Sequence, residues 1–411
     1  MSWRLLPPVY SPVSPSALLA GLVAQCGCAP ARHARVESIL AERYDAHAVV
    51  LTDSGTSALV LAMRAAVPDG GIVALPAYGC YDLTAAARCA NAQVRLYDLD
   101  PATLSPDLAS VRRVIERGVD AIVVVHLYGY PADIDGVRQL AAARGVPVIE
   151  DAAQGGGGML HGRPLGSIGD LAVLSFGRGK GMTSGSGGAL LARTPALAAW
   201  THDARGTLEA GARGGRELVA LGAQWLLARP SLYRLPASIP SLRLGEMVYH
   251  DARAPRAIAA GAVTILESAL RGDAREVNAR REHAALLMTR MKSTRALMPV
   301  RPIEGAIPGY LRCAALAAAD SIQPNPALGV LRGYPLTLSQ HAPITPILAP
   351  GENAAPGAAE LRDRLFTFPT HGRMRIADVE RIGVWCSALS HQEAGDANAR
   401  AVDHRRSHAV V

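Results

Sequence analysis

The sequence predicts an α/β protein, with a mostly parallel sheet in a large domain and a smaller α/β domain towards the carboxyl end. Three observations carry this. From His47 to Ile149, short apolar runs alternate with helix-period patterns of roughly ten residues, the signature of parallel strands joined by crossover helices. Beyond Arg193 that alternation gives way to two long helical patterns and Pro-rich joins. Hydrophobic residues make up 49% and charged residues 19%, which excludes wholesale disorder, and 40 Gly with 28 Pro suit a loop-rich α/β protein better than a helical bundle.

The elements follow in order. His47–Thr52 is a β-branched run, and Thr56–Ala66 repeats apolar residues at helical spacing. Ile72–Leu75, Gln93–Tyr97, Ala121–His126 and Val146–Ile149 read as strands, separated by helices near Tyr81–Ala90, Leu108–Arg117 and Asp135–Ala143. Leu171–Phe176 and Gly188–Leu191 are two further short strands. The apolar, Pro-punctuated segment 218–244 reads as an insertion that forms an interface or lid, before helices over Ala257–Leu270 and Arg275–Met291. The expected organisation is an N-terminal segment (1–35) packing with the small domain, a large domain (36–255), a small domain (256–390) and a flexible tail (391–411).

Charge and cysteine usage narrow the function class. The net charge is +7, but only Lys180 and Lys292 are lysines, and the arginines are scattered rather than clustered on one face. With aromatics at 4%, neither a basic nucleic-acid patch nor a base-stacking platform is expected. Six scattered cysteines offer no disulfide framework and no zinc-ligand spacing. No uncharged apolar run reaches the roughly 18 residues a spanning helix needs, and the apolar stretch Ser16–Ala24 lacks a basic leader. A cytoplasmic protein without integral membrane association is the expectation.

The chemistry centres on Lys180, set in the glycine-rich loop Ser175-Phe-Gly-Arg-Gly-Lys-Gly181 just after a buried strand. A Walker loop would need Gly at position 174 and Ser or Thr at 181, and these positions hold Leu174 and Gly181. A dinucleotide fingerprint started at Gly177 fails at Met182. A different reading uses the whole region. Val148-Ile-Glu-Asp151 ends a buried strand in an acid, and ligand sites of open α/β sheets lie at the carboxyl ends of strands. A lysine can condense with an aldehyde, a buried aspartate can hold a protonated ring nitrogen, and a helix opening with Ser54-Gly55-Thr56-Ser57 can cradle a phosphate. That donor set suits pyridoxal 5′-phosphate. His126 reads as a satisfied core histidine.

The ordered motifs Asp53-Ser-Gly-Thr-Ser-Ala-Leu59, Leu75-Pro-Ala-Tyr78, Val125-His-Leu-Tyr-Gly-Tyr-Pro-Ala-Asp133, Ile149-Glu-Asp-Ala-Ala-Gln154 and Ser175-Phe176 with Lys180 resemble the DegT/DnrJ/EryC1/StrS family of sugar aminotransferases. The resemblance runs over about residues 35–195 and more weakly over 246–385. It implies the pyridoxal-phosphate fold type I, with a seven-stranded sheet in the large domain. By the same resemblance Lys180 is the Schiff-base lysine and general base, and Asp151 pairs with the pyridine nitrogen. Gln154 approaches the ring or its hydroxyl, and Gly55, Thr56 and Ser175 hold the phosphate. The position of the family's ring-stacking aromatic falls on Cys80, with Tyr78 and Tyr81 as neighbours that leave the assignment open.

The implied reaction moves an amino group from an amino acid, glutamate by resemblance, to a keto sugar on a nucleotide or a related secondary-metabolite ketone, in a homodimer. Three departures stand out: Gly185-Ser186-Gly187-Gly188 where the family has Gly-Glu-Gly-Gly, Gly155–Gly158 where a histidine often follows, and no recognisable cross-subunit asparagine stretch. They keep two alternatives in view, a cofactor-binding homologue without turnover and a sugar dehydratase. The dehydratases of the family usually replace the lysine by histidine, and Lys180 speaks against that reading.

Overall fold

The computed structural model describes residues 4–24, 30–68, 70–211, 214–242, 247–272, 274–318, 322–351 and 354–389. The expected tail at 391–411 lies outside the described residues, as do Cys26 and Cys28. The central sheet has seven strands, β1 (Ala48–Thr52), β2 (Ile72–Pro76), β3 (Gln93–Tyr97), β4 (Ala121–Val125), β5 (Val148–Asp151), β6 (Leu171–Ser175) and β7 (Gly188–Ala192), in the order β1-β7-β6-β5-β4-β2-β3. Neighbours pair in parallel from β3 to β6, and β7 runs antiparallel to both β6 and β1. The large domain thus has the mostly parallel sheet expected from the sequence, with the seven strands that the family resemblance implies.

Burial explains why these strands read as unbroken apolar runs. Side chains alternate across the sheet, and both faces are covered by helices, so each strand feeds two cores. Val73, Leu75, Val123, Ile149 and Val173 pack on one face with Leu59 and Met63 of α3 and Leu83 of α4. Ala74, Ile122, Val124, Val148 and Ala172 pack on the other face with Leu40 of α2, Val111 of α5 and Val137 of α6. These helices are α2 (Pro30–Tyr44), α3 (Gly55–Ala66), α4 (Asp82–Cys89), α5 (Leu108–Glu116) and α6 (Ile134–Ala142), preceded by α1 (Pro15–Val23).

Strand β5 starts two residues later than the sequence reading and runs on to Asp151. Pro147 has no N–H to give a ladder, so pairing begins after it, with the Val148 N–H donating to Asp170 Oδ2 at 2.8 Å. The consequence matters for chemistry. Asp151 sits inside the sheet, in register with Val125 and Val173, on the α3/α4 face, and Glu150 points to the opposite face.

After β7 come α7 (Pro195–Gly206), α8 (Gly215–Leu227) and the single turn α9 (Arg234–Ala237). Segment 218–244 therefore begins as a helix, whose Leu218 and Leu221 pack on Val13 and Ala17 of the N-terminal segment. Its outer side leaves Val219, Leu226, Leu235 and Leu242 exposed. Among the described residues no helix is long and apolar enough to cross a membrane.

The second sheet contains β8 (Leu297–Pro299), β9 (Cys313–Ala317), β10 (Leu331–Arg332) and β11 (Leu365–Phe368), in the antiparallel order β8-β9-β11-β10. It packs with α11 (Ala274–Lys292), α12 (Pro356–Arg364) and a helix over 376–389; α10 (Ala260–Gly272) returns to the large sheet's second core. The N-terminal segment reaches both parts. Arg4 pairs with Asp378 at 2.6 Å, and Ser11 Oγ accepts from the Gly179 N–H at 2.9 Å.

Candidate active site

One cavity of about 280 Å³ opens at the carboxyl ends of β1, β4, β5 and β6, where α3 begins. Lys180, Asp151, Gly55, Thr56, Cys80, Gln154 and Ser175 all line it, so the fold brings every residue expected from the sequence to one place. A larger open groove of about 690 Å³, lined by Asp135, Arg138, Val148 and Asp170, lies at the opposite end of the sheet and contains no lysine. Ligand chemistry of parallel sheets gathers at carboxyl ends, which favours the smaller cavity.

Lys180 sits in the loop after β6, where its N–H reaches Gly177 O at 3.3 Å. Gly179, with φ of 76°, adopts a left-handed turn that side chains disfavour, and a Cβ there would meet Val9 at 2.8 Å. Ser11 and Thr183 hold the loop's backbone, the latter donating to Gly177 O at 2.8 Å. Among the described residues Lys180 forms no salt bridge, so its ammonium is left to the cavity.

Asp151 is buried, and a single N–H, from Ala153 at 3.0 Å, is its direct hydrogen-bond partner among the described residues. Burial pushes its carboxyl above the usual range, an effect that the Ala153 N–H and the charge of Lys180 only partly offset and that the charge of Asp82 reinforces. This is a carboxylate short of a cation.

At the helix end, Ser54 caps α3 by accepting from the Ser57 N–H at 3.0 Å. The first N–H groups, at Gly55 and Thr56, have no carbonyl four residues back within the helix. A Cβ on Gly55 would lie 2.7 Å from Ser175 Cβ and 2.9 Å from Ser175 Oγ, so only glycine lets α3 start this close to β6. Ser175 Oγ has no protein hydrogen bond among the described residues and lines the cavity beside these N–H groups. Two hydroxyls and a helix N-terminus form an anion cradle, and opposite it stand an under-partnered carboxylate and a lysine. That donor set fits pyridoxal phosphate.

Which neighbour of Cys80 faces the cavity is a matter of packing. Tyr78 is fully buried, edge-on to Tyr334 at 5.4 Å, and its hydroxyl accepts from the Tyr334 N–H at 2.6 Å. Tyr81 turns away to stack on His341 at 4.3 Å. Cys80 alone of the three lines the cavity, with its Sγ donating to Asp82 Oδ2 at 3.4 Å and its thiol pushed far up by burial.

The cavity also receives residues that sequence reasoning did not assign to it, Asp53 and Asp82. Asp53 Oδ1 accepts from Ser57 Oγ at 2.6 Å, and Asp82 opens α4. An acid immediately before a cap, or at the first helical position, ordinarily serves the helix dipole, and that local role hid both. Ser186, the residue standing where the family has glutamate, lines the cavity too.

Behind Asp151, His126 and Glu150 form a buried unit. His126 Nδ1 faces the Ala132 N–H at 3.0 Å and must accept, so Nε2 carries the proton and donates to Glu150 at 3.0 Å. Glu150 also accepts from the N–H groups of Gly166, Ile168 and Gly169. Burial would raise its carboxyl, but these partners outweigh it and hold the group below the usual range. His126 is the satisfied core histidine that the sequence suggested.

Comparison with known proteins adds three findings. Residues 30–207 match the model of the DegT/DnrJ/EryC1/StrS aminotransferase family. Over 146 residues, 35% of this chain, the sequence is 40% identical to an L-glutamine:2-deoxy-scyllo-inosose aminotransferase of Streptoalloteichus tenebrarius. It is 33% identical over 162 residues, 39% of this chain, to a dTDP-4-dehydro-2,3,6-trideoxy-D-glucose 4-aminotransferase of Saccharopolyspora spinosa. The matched stretches span 34% and 41% of those relatives' own lengths. In fold the chain is similar to the aminotransferase TlmJ from Streptoalloteichus hindustanus, with a TM-score of 0.72 and 24% identity, covering 95% of this chain and 99% of that one. That likeness carries the fold alone.

Proposed function

Because residues 30–207 match the model of the DegT/DnrJ/EryC1/StrS aminotransferase family, we propose that the chain is a pyridoxal-phosphate-dependent aminotransferase of that family. It moves an amino group from an amino acid to the keto group of a polyhydroxylated ring, a nucleotide-linked keto sugar or a keto-cyclitol. The observation that supports this best is the convergence of Lys180, Asp151, Ser175 and the start of α3 on one cavity.

The cofactor, when bound, supplies an aldehyde and a ring that withdraws electrons while its nitrogen is protonated. The chain's residues do the rest. Asp151 gives that protonated nitrogen a buried counter-charge, and the ion pair answers the burial that raises this carboxyl in the chain alone. The N–H groups of Gly55 and Thr56, with the hydroxyls of Thr56 and Ser175, would hold the phosphate. Lys180 Nζ, which forms no salt bridge among the described residues, would hold the cofactor through its aldehyde carbon with release of water. Displaced from there by the donor's amine, Lys180 would be the base that takes the proton from the donor's Cα and the acid that protonates the acceptor's carbon.

Glutamate and glutamine are the donors to test first, since a relative is named for glutamine. The working unit is a homodimer, with the exposed apolar side chains around α8 as the candidate contact. Lys180 also favours transamination over the dehydratase reading.

The test is an absorption spectrum of the purified protein with pyridoxal phosphate, before and after each amino donor, beside Lys180→Ala. A long-wavelength band lost in Lys180→Ala and bleached by a donor supports the reading. Turnover in that variant should fall at least about 10³-fold, since general-base and covalent roles are lost together. A Lys180-dependent band that no donor alters would support the cofactor-binding homologue, and no band at all would remove the cofactor assignment.

A further inference from the structure

Gln154 reaches the cavity with both ends of its carboxamide already engaged. Its Oε1 lies 2.8 Å from the Tyr128 N–H, and its Nε2 lies 2.9 Å from the Tyr334 hydroxyl. A backbone N–H can only donate, so the atom facing it must be the oxygen, and the orientation of the amide is settled. One hydrogen of Nε2 goes to Tyr334, and the other has no protein acceptor among the described residues. An unspent N–H is costlier to leave than an unspent carbonyl lone pair. The group Gln154 offers the cavity is therefore a donor.

Both partners are held rigidly. Tyr128 sits at φ 54°, ψ 17°, a left-handed conformation that a bulky residue adopts only under constraint, and this turn aims its N–H at Gln154. Tyr334 lies two residues beyond β10, in the loop that leaves the second sheet. It stacks on Tyr128 at 5.7 Å and 25° and lies edge-on to Tyr78, whose hydroxyl accepts its N–H. Gly333 has no Cβ at the point where Tyr78 Oη crosses it, which permits that approach.

We infer that Tyr334 is a positioning residue for the cofactor pocket. It locks Gln154 so that an N–H donor meets the anionic oxygen of the bound ring, and it thereby ties the seating of the second sheet to the charge on that ring. The inference rests on the pyridoxal-phosphate reading above. A donor on the oxygen stabilises its negative charge and weakens the hold on the proton shared with the Lys180-linked nitrogen.

The experiment follows the bound-cofactor absorption band of the full-length protein against pH. Tyr334→Phe keeps the stacked ring and removes the hydroxyl, and Gln154→Leu keeps the bulk and removes the amide. Asp151, Asp82 and Lys180 stay in place in both, so the surrounding charges are constant. The expected result is a rise in the band's pH midpoint for each variant, equivalent to about a threefold to tenfold change in the ionisation constant. The double variant should shift no further than Gln154→Leu, because the two residues act through one donor. Near-ultraviolet circular dichroism reports whether each variant keeps its packing. If Tyr334→Phe fails to pack, Tyr334→Leu, which is smaller and likewise removes the hydroxyl that accepts from Gln154, carries the test. An unshifted midpoint in Tyr334→Phe beside a shifted Gln154→Leu overturns the role of Tyr334, and unshifted midpoints in all variants overturn the donor. If the wild-type protein shows no Lys180-dependent band, the cofactor reading itself fails, and the inference with it.

Discussion

Gly55→Ala tests the anion cradle most directly, because its effect can be worked out from one distance. The new Cβ would lie 2.7 Å from Ser175 Cβ and 2.9 Å from its Oγ. Ordinary carbon contacts are about 3.5–4.0 Å, so α3 and the end of β6 must separate by about 1 Å. Gly55 is not in the left-handed region, and the added methyl suits a helix, so the penalty is one of space. Overpacking of this kind costs about 1–3 kcal/mol of stability. The separation also widens the cradle between the α3 N–H groups and Ser175. Losing one hydrogen bond to a charged phosphate, worth about 1.5–3 kcal/mol, weakens pyridoxal phosphate about 10- to 100-fold.

Calorimetry gives the stability change, and equilibrium titration gives the affinity. The discriminating comparison is with pyridoxal, which lacks the phosphate. Gly55→Ala should lose most of the preference for pyridoxal phosphate over pyridoxal, and Asp151→Asn should keep it. A Gly55→Ala protein with lowered stability but an unchanged preference would refute the cradle and leave Gly55 a packing residue only.

Two further outcomes follow from the strand that carries Asp151. Its carboxyl is raised in the cofactor-free chain, so the folded state holds the proton more tightly than the unfolded one; that tight hold disfavours folding as pH rises through the interval from about 4, the unfolded value, up to the raised folded value. Without cofactor, Asp151→Asn should match the wild type at low pH and be the more stable protein at neutral pH, read by urea unfolding at both pH values; with pyridoxal phosphate the order should reverse. Glu150→Ala strands the Nε2–H of His126 and the N–H groups of Gly166, Ile168 and Gly169. At about 1 kcal/mol or more for each unmet donor, the loss is about 4 kcal/mol, and a change under 1 kcal/mol on urea unfolding would contradict this account.

Much of this molecule is legible in the residues themselves. The alternation of β-branched runs with helix-period segments is a local property, since covering both faces of a strand or one stripe of a helix is written every second or every third and fourth residue. The parallel units from β1 to β6 follow from it, as do the short caps and loops that place Ser54, Gly55 and Lys180 at strand ends. The scarcity of lysine made Lys180 conspicuous, and the acid closing a buried strand did the same for Asp151.

The remaining features depend on groups that meet across long stretches of chain. Nothing near Gln154 announces Tyr334, 180 residues away, as the partner that orients its amide. Among Tyr78, Cys80 and Tyr81, the choice of which side chain enters the cavity is made by Tyr334 and His341, which draw the two tyrosines elsewhere. Asp53 and Asp82 look like ordinary helix-end acids until the sheet and α4 bring them to the same cavity. The sequence by itself determined the elements and the chemical types available at their ends, because those are set by neighbours within a turn or a strand. Only the tertiary structure decided which of those groups face one another, because contact, burial and the shared field of Lys180, Asp82 and Asp151 exist only once the elements pack.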